Sequence, residues 1–160
     1  MRSTILLITA LLGTGLAVGC TATDSMSGVE LSPSASAAAQ IKRADAEVKE
    51  AVQAIQAYAF GQKADFVTRM KKEIAKLQQT VEELAVKVDK SSAAATKADA
   101  QARVAELREQ VAEAKKQLDL AEKADEATWE QAKMAFKTSY AQLGESVNKT
   151  LQWVTDKIEA

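Results

Sequence analysis

Apolar residues recur along most of this chain at alternating steps of three and four, the spacing that lines up one face of a helix. Ile41, Ala44, Val48, Ala51, Ile55 and Tyr58 make the first such stripe. Its phase slips near Phe60 and Gly61, and a cleaner stripe takes over: Val67, Met70, Ile74, Leu77, Val81, Leu84 and Val88. Heptad spacing held over that distance predicts a coiled-coil seam. Asp65 stands four before Arg69 and Glu83 four before Lys87, which sets complementary charges on the outer face.

The seam stops at residues 89–96, DKSSAAAT. At about 100° per residue, Ala100 would lie roughly 120° round a continuous helix from Val88, so a straight run would throw the stripe off its face. A reversal removes the conflict. Ser91 and Ser92 supply the turn, and Thr96 with Asp99 has the spacing of a capping box for the returning helix. Ala100, Val104, Leu107, Val111, Ala114, Leu118 and Ala121 continue on that helix. Two successive four-steps, Ala121 to Asp125 to Trp129, then break the heptad as a stutter does. Ala132, Phe136, Tyr140, Leu143, Val147, Val154 and Ile158 follow.

Folding the chain about residue 93 sets Gly61 opposite Asp125, so the two phase slips face each other. The pattern therefore predicts an all-α domain over residues 40–160. Its expected form is a long antiparallel two-helix coiled-coil hairpin with arms at about 40–89 and 96–155, a rod near 75 Å. A three-helix bundle, an extended helix with a break near 124–128, and one continuous helix with a face switch are the alternatives.

The first twenty residues follow another pattern. Arg2 is followed by an almost unbroken apolar run over residues 5–18, and Leu16, Ala17, Val18, Gly19 and Cys20 close it. About fourteen apolar residues fall short of the ~20 that a spanning helix needs. A positive start, an apolar stretch of that length and small residues before a cleavage point describe an export signal. The arrangement resembles a bacterial lipoprotein signal peptide with its lipobox. The resemblance implies cleavage between Gly19 and Cys20, removal of residues 1–19, and a diacylglyceryl group on the Cys20 thiol. That covalent lipid is the only cofactor expected. Thr21 stands where an Asp would imply retention at the inner membrane, so the same resemblance implies the outer membrane, facing the periplasm.

Residues 20–39 then read as the lipidated Cys and a tether rich in Ser, Ala and Thr. The nineteen residues after Cys20 would span about 25 Å relaxed and near 65 Å extended.

Composition narrows the chemistry. Formal net charge is −1, and loss of Arg2 with the signal makes it one unit more negative, so no basic excess exists to hold nucleic acid. The sequence has no His and a single Cys, which removes imidazole sites, Ser–His and Cys–His pairs and multi-thiolate metal sites. No phosphate-cradling glycine loop occurs. Carboxylates such as Asp45, Glu82, Glu83, Glu106, Glu113 and Glu122 fall on predicted outward faces, where acid–base catalysis lacks an enclosing pocket. The expectation is no enzyme, no small-molecule substrate and no metal.

Aromatics are 4% of the chain, and Trp129, Phe136, Tyr140 and Trp153 gather in its last quarter. At helical spacing they predict packing, and they are also the candidate contacts for a partner, Trp153 foremost because it lies off the main stripe. Many seam positions are Ala, which buries little area, so self-association or another helical envelope protein is expected to supply more. Residues 125–136, DEATWEQAKMAF, together with the paired heptads, resemble a loose group of small bacterial coiled-coil proteins, some stress-related or apolipoprotein-like. That likeness implies a fold and no chemistry. Two functions remain in view: a lipid-anchored structural spacer, scaffold or helix-binding module, and an apolipoprotein-like protein lying on a membrane surface.

Overall fold

The computed structural model describes residues 33–92 and 94–158. The signal sequence, Gly19, Cys20 and most of the expected tether lie outside these residues. Four helices follow one another: α1 (Pro33–Gln56), α2 (Lys63–Lys90), α3 (Ala94–Lys123) and α4 (Trp129–Ile158), with a 3₁₀ turn at Phe60–Gln62. The described chain is thus all-α. None of these helices is long and apolar enough to cross a membrane.

Helix α1 starts at Pro33, seven residues before the expected start at Gln40. Proline is suited to a first helical position, because its missing N–H would be unpaired there anyway, and the Ser/Ala run after it offers little resistance to helix. Residues 33–39, read as tether, are therefore helical.

The reversal falls where the stripe demanded it. Ser91 leaves the helix in extended conformation, φ −69° and ψ 136°, and its N–H still reaches the Val88 carbonyl at 3.2 Å. Helix α3 begins at Ala94, two residues before Thr96, so Thr96 and Asp99 lie inside its first turns. Lys97 Nζ donates to the Asp89 carbonyl at 2.6 Å, tying the returning helix to the end of α2.

Side-chain pairs fix the directions. Arg108 with Glu82 (2.6 Å), Lys115 with Gln78 (2.7 Å) and Lys71 with Glu122 (2.9 Å) run α2 against α3. Arg103 over the Trp153 ring, 4.7 Å from its centroid, runs α3 against α4. Asn148 with Asp45 and Lys133 with Tyr58 run α4 against α1. Each of these three pairs is antiparallel, while α2 and α4 run in the same direction, giving an up-down-up-down bundle about 45 Å long at 1.5 Å per residue.

Each predicted arm is therefore two helices rather than one, and the two-helix rod is corrected to a four-helix bundle. The breaks sit at the two phase slips. At Gly61 the stripes of α1 and α2 are out of phase, and doubling back buries both. At residues 124–128 a cap ends any continuation. The Thr128 N–H donates to Asp125 Oδ1 at 2.9 Å, and the Asp125 N–H donates to Thr128 Oγ1 at 3.2 Å. This reciprocal Asp-to-Thr lock opens α4. The alternative of an extended helix broken near 124–128 has its break in this place, but the chain doubles back there instead of running on.

The two breaks lie side by side, since Lys63 Nζ donates to the Ala124 carbonyl at 2.7 Å. Every seam residue from Val67 to Val88 and from Ala100 to Ala121 named above is buried. Helix α4 packs on α1, α2 and α3 and is the central element, while α1 meets α2 chiefly near their connection.

Candidate functional site

Where the breaks converge, six aromatic rings gather. Phe66, absent from the heptad list, is at the centre and fully buried. It meets Tyr58, Trp129 and Phe136 edge-on at centroid distances of 5.4, 5.2 and 5.5 Å. Phe60 adds an edge contact to Trp129 at 6.4 Å, and Tyr140 packs on Phe136 at 5.7 Å. Edge-to-face pairs of this kind contribute about 0.5–1.5 kcal/mol each beyond the area they bury.

Lysines stitch this knot to the backbone. Lys133, 3% exposed, donates from Nζ to the Tyr58 carbonyl and to Glu130 Oε1, both at 2.8 Å. The Trp129 indole N–H reaches the same carbonyl at 3.4 Å. Just past the end of α1 the Tyr58 carbonyl has no helical partner, and a cation donating to it satisfies both groups. Lys63 does the same for Ala124 and stands 5.1 Å from the Phe60 ring centre.

Three of the four candidate partner contacts are consumed here. Trp129, Phe136 and Tyr140 are 1%, 0% and 1% exposed, so they are core rather than recognition surface. Edge-on packing around Phe66 is the reason. Trp153 sits apart, half-buried near the far end of α4 under the Arg103 guanidinium. Among the described residues the exposed large apolar side chains are Val86, Leu120 and Met134, none of them among the candidates.

Charge chemistry is settled outward. The Arg108 guanidinium holds the Glu82 carboxyl below its usual range, and hydrogen bonds from Gln117 and then Lys116 do so for Glu113. The Thr128 hydroxyl and backbone lower Asp125. These carboxylates are stabilised as anions, the reverse of what a general acid needs. Burial, followed by the nearby Glu73 and Glu47, pushes the Tyr140 phenol up, so it stays protonated. The Tyr58 hydroxyl bonded to Arg69 raises that guanidinium further.

The depressions on the surface are open furrows between helices. One, between α2 and α3, is lined by Ile74, Leu118, Gln78 and Lys115. Another, between α3 and α4, has Leu120 on its rim. Among the described residues no group of His, Cys, Asp or Glu is placed to hold a metal ion.

Two structural residues escaped the pattern. Lys133 occupies a core position, and only its place four after Trp129 on the seam marks it. Gly144 is buried in α4 against Val48 of α1, and a Cβ built on it would lie 2.3 Å from Val48 Cγ1. Comparison with known proteins finds no matching family model, no matching curated relative and no matching solved structure.

Proposed function

We propose that the chain is a non-enzymatic, lipid-anchored helical protein of the bacterial envelope, serving as spacer, scaffold or helix-mediated binding module. The observation that carries this reading is the order Arg2, apolar residues 5–18, then Leu16, Ala17, Val18, Gly19 and Cys20. Cleavage leaves Cys20 as the acylated first residue, and the sequence up to Pro33 is the lead to the bundle. Thr21 directs the protein to the outer membrane with the bundle in the periplasm.

The bundle's chemistry supports a mechanical or adhesive role. Trp129, Phe136 and Tyr140 are packed inward, and Glu82 and Glu113 are held as surface anions. Inward aromatics also weigh against the apolipoprotein-like alternative, in which Trp129, Phe136 and Tyr140 would anchor in lipid.

Metabolic labelling with radioactive palmitate in a bacterial host tests the anchor. The expected result is a labelled chain in the membrane fraction, with label lost in Cys20→Ser. Absence of label on the unsubstituted chain, or label that survives Cys20→Ser, removes the anchor from the reading.

A further inference from the structure

One end of the bundle is a positive pole. Helix α1 starts there, and its Asp45 meets Asn148 of α4 at 3.4 Å, so the last turns of α4 lie beside the first turns of α1. Arg103 over Trp153 brings the start of α3 to the same end, and Lys97 on the Asp89 carbonyl adds the end of α2. Past the level of the Asp45–Asn148 pair stand Lys42 and Arg43 on α1, Lys87 and Lys90 on α2, Lys97 and Arg103 on α3, and Lys149 and Lys157 on α4. All but Lys97 are exposed. Against these eight cations are four carboxylates, Asp89, Asp99, Glu106 and Asp156. The other described residues have the opposite balance, with twelve cations against fifteen carboxylates.

Covalent connection aims this end. Pro33 opens α1 thirteen positions after Cys20, a distance of about 20 Å relaxed and at most about 45 Å extended. An acyl chain on Cys20 therefore keeps the positive end, rather than the far one, beside the lipid headgroups. Trp153 is half-buried at this end under the Arg103 guanidinium, and Ile158 is partly buried at the last turn of α4. Cations on apolar stems and a tryptophan suit the boundary between headgroups and water.

We propose that this end of the bundle docks on the headgroups of anionic phospholipid, so that the bundle stands end-on upon the membrane that holds its anchor. The lipid phosphates attract the cationic end, and the acidic remainder of the bundle faces away. Exposed charges are screened by salt, so the docking weakens as salt is raised. The inference rests on the anchor proposed at Cys20. It engages an end of the bundle and leaves the buried aromatics of α4 where they are.

The two tryptophans report the orientation. Trp153 is five residues from the end of α4 and Trp129 twenty-nine, about 8 and 43 Å along the helix. The mature chain, purified from host membranes, is reconstituted into vesicles of phosphatidylcholine alone or mixed with phosphatidylglycerol, each with dansyl-labelled headgroups. Energy transfer from tryptophan to dansyl is measured, and Trp153→Phe isolates the part due to Trp129.

Transfer from Trp153 should be several-fold stronger on the mixed vesicles than on phosphatidylcholine alone, and should fall as salt rises. Lys42→Gln, Lys90→Gln and Lys157→Gln together should abolish the difference. Lys72→Gln, Lys116→Gln and Lys123→Gln, which remove the same charge elsewhere, should leave it. Equal transfer on both kinds of vesicle overturns the docking while the anchor stands. Equal loss in the two triple variants overturns it too, since net charge alone would then act. A matching rise from Trp129 means the bundle lies on its side, which also refutes the end-on stance. A chain that enters neither kind of vesicle removes the anchor, and the docking with it.

Discussion

Gly144→Ala is the sharpest test of how α1 is held. Glycine within a 30-residue helix such as α4 costs about 1 kcal/mol against alanine, so on an exposed face this change would stabilise the fold. Here the new Cβ would sit 2.3 and 2.8 Å from the Val48 methyls and 3.1 Å from Val48 Cβ. Ordinary carbon contact is about 3.5–4.0 Å, so the overlap exceeds an ångström. Val48 offers no easy escape, because a β-branched side chain in a helix has one strongly preferred rotamer. Helix α1 must back away from α4.

Overpacking of this kind costs about 1–3 kcal/mol. A three-atom overlap on a stiff side chain belongs in the upper half, leaving a net loss of about 1–2 kcal/mol after the propensity gain. In thermal unfolding followed by circular dichroism, that is a fall in Tm of roughly 3–8 °C. Val48→Ala removes both clashing methyls. In that background Gly144→Ala should cost at least ~1 kcal/mol less, a coupling expected of residues in contact. A rise in Tm for Gly144→Ala alone, or strict additivity in the double variant, would refute the close approach of α1 and α4.

Lys133→Met strips the Tyr58 carbonyl of its charged donor and should cost about 1–3 kcal/mol in urea unfolding. Lys149→Met, on an exposed ion pair with Glu145, should stay within about 0.5 kcal/mol. Phe66→Ala opens the centre of the aromatic knot and should cost about 3–5 kcal/mol, with loss of near-ultraviolet circular dichroism. Trp129→Phe should remove the blue-shifted part of the tryptophan emission and Trp153→Phe the iodide-quenchable part, because the first is sealed and the second half-exposed.

Stability should also titrate at both ends. Glu82, Glu113 and Asp125 have lowered carboxyl pKa values, so the stability they confer is present above the ordinary carboxylate range and is lost as pH falls through the folded values. Tyr140 is raised above 10.0, so its contribution is full below that pH and fades as pH climbs past it. The urea midpoint measured across pH should be flat near neutrality and decline on both sides. Asp125→Asn, which keeps a cap oxygen, should lessen the acid decline. A midpoint still rising as pH drops below 4 would contradict these assignments.

Much of this bundle is legible in the order of residues. Periodicity places the stripes of α2 and α3, and the 120° mismatch between Val88 and Ala100 demands the turn at Ser91. The slips at Gly61 and at residues 121–129 are visible too, and so is their mutual facing, now expressed by Lys63 on Ala124. Periodicity does not separate a slip within a helix from a place where the chain doubles back. The same blind spot hides Lys133, since a cation on the seam looks like an intruder until the Tyr58 carbonyl stands above it.

The candidate contacts divide along that line. Spacing marks Trp129, Phe136, Tyr140 and Trp153 as belonging to helical faces, but whether a face meets the core or the outside depends on how many helices surround it. With two helices, one side of α4 would be bare; with four, α1, α2 and α3 enclose it, and only Trp153 keeps an open edge.

Alternating polarity and the apolar head of the chain were settled by the residues themselves, because helical period and hydrophobic length are properties of neighbours along one strand of covalent bonds. The number of helices across the bundle, the seat of α1 on α4 and the burial of a lysine were decided only in three dimensions. Those outcomes rest on groups 75 and 103 positions apart, the Tyr58 carbonyl with Lys133 and the Asp45 side chain with Asn148, whose meeting no local spacing encodes.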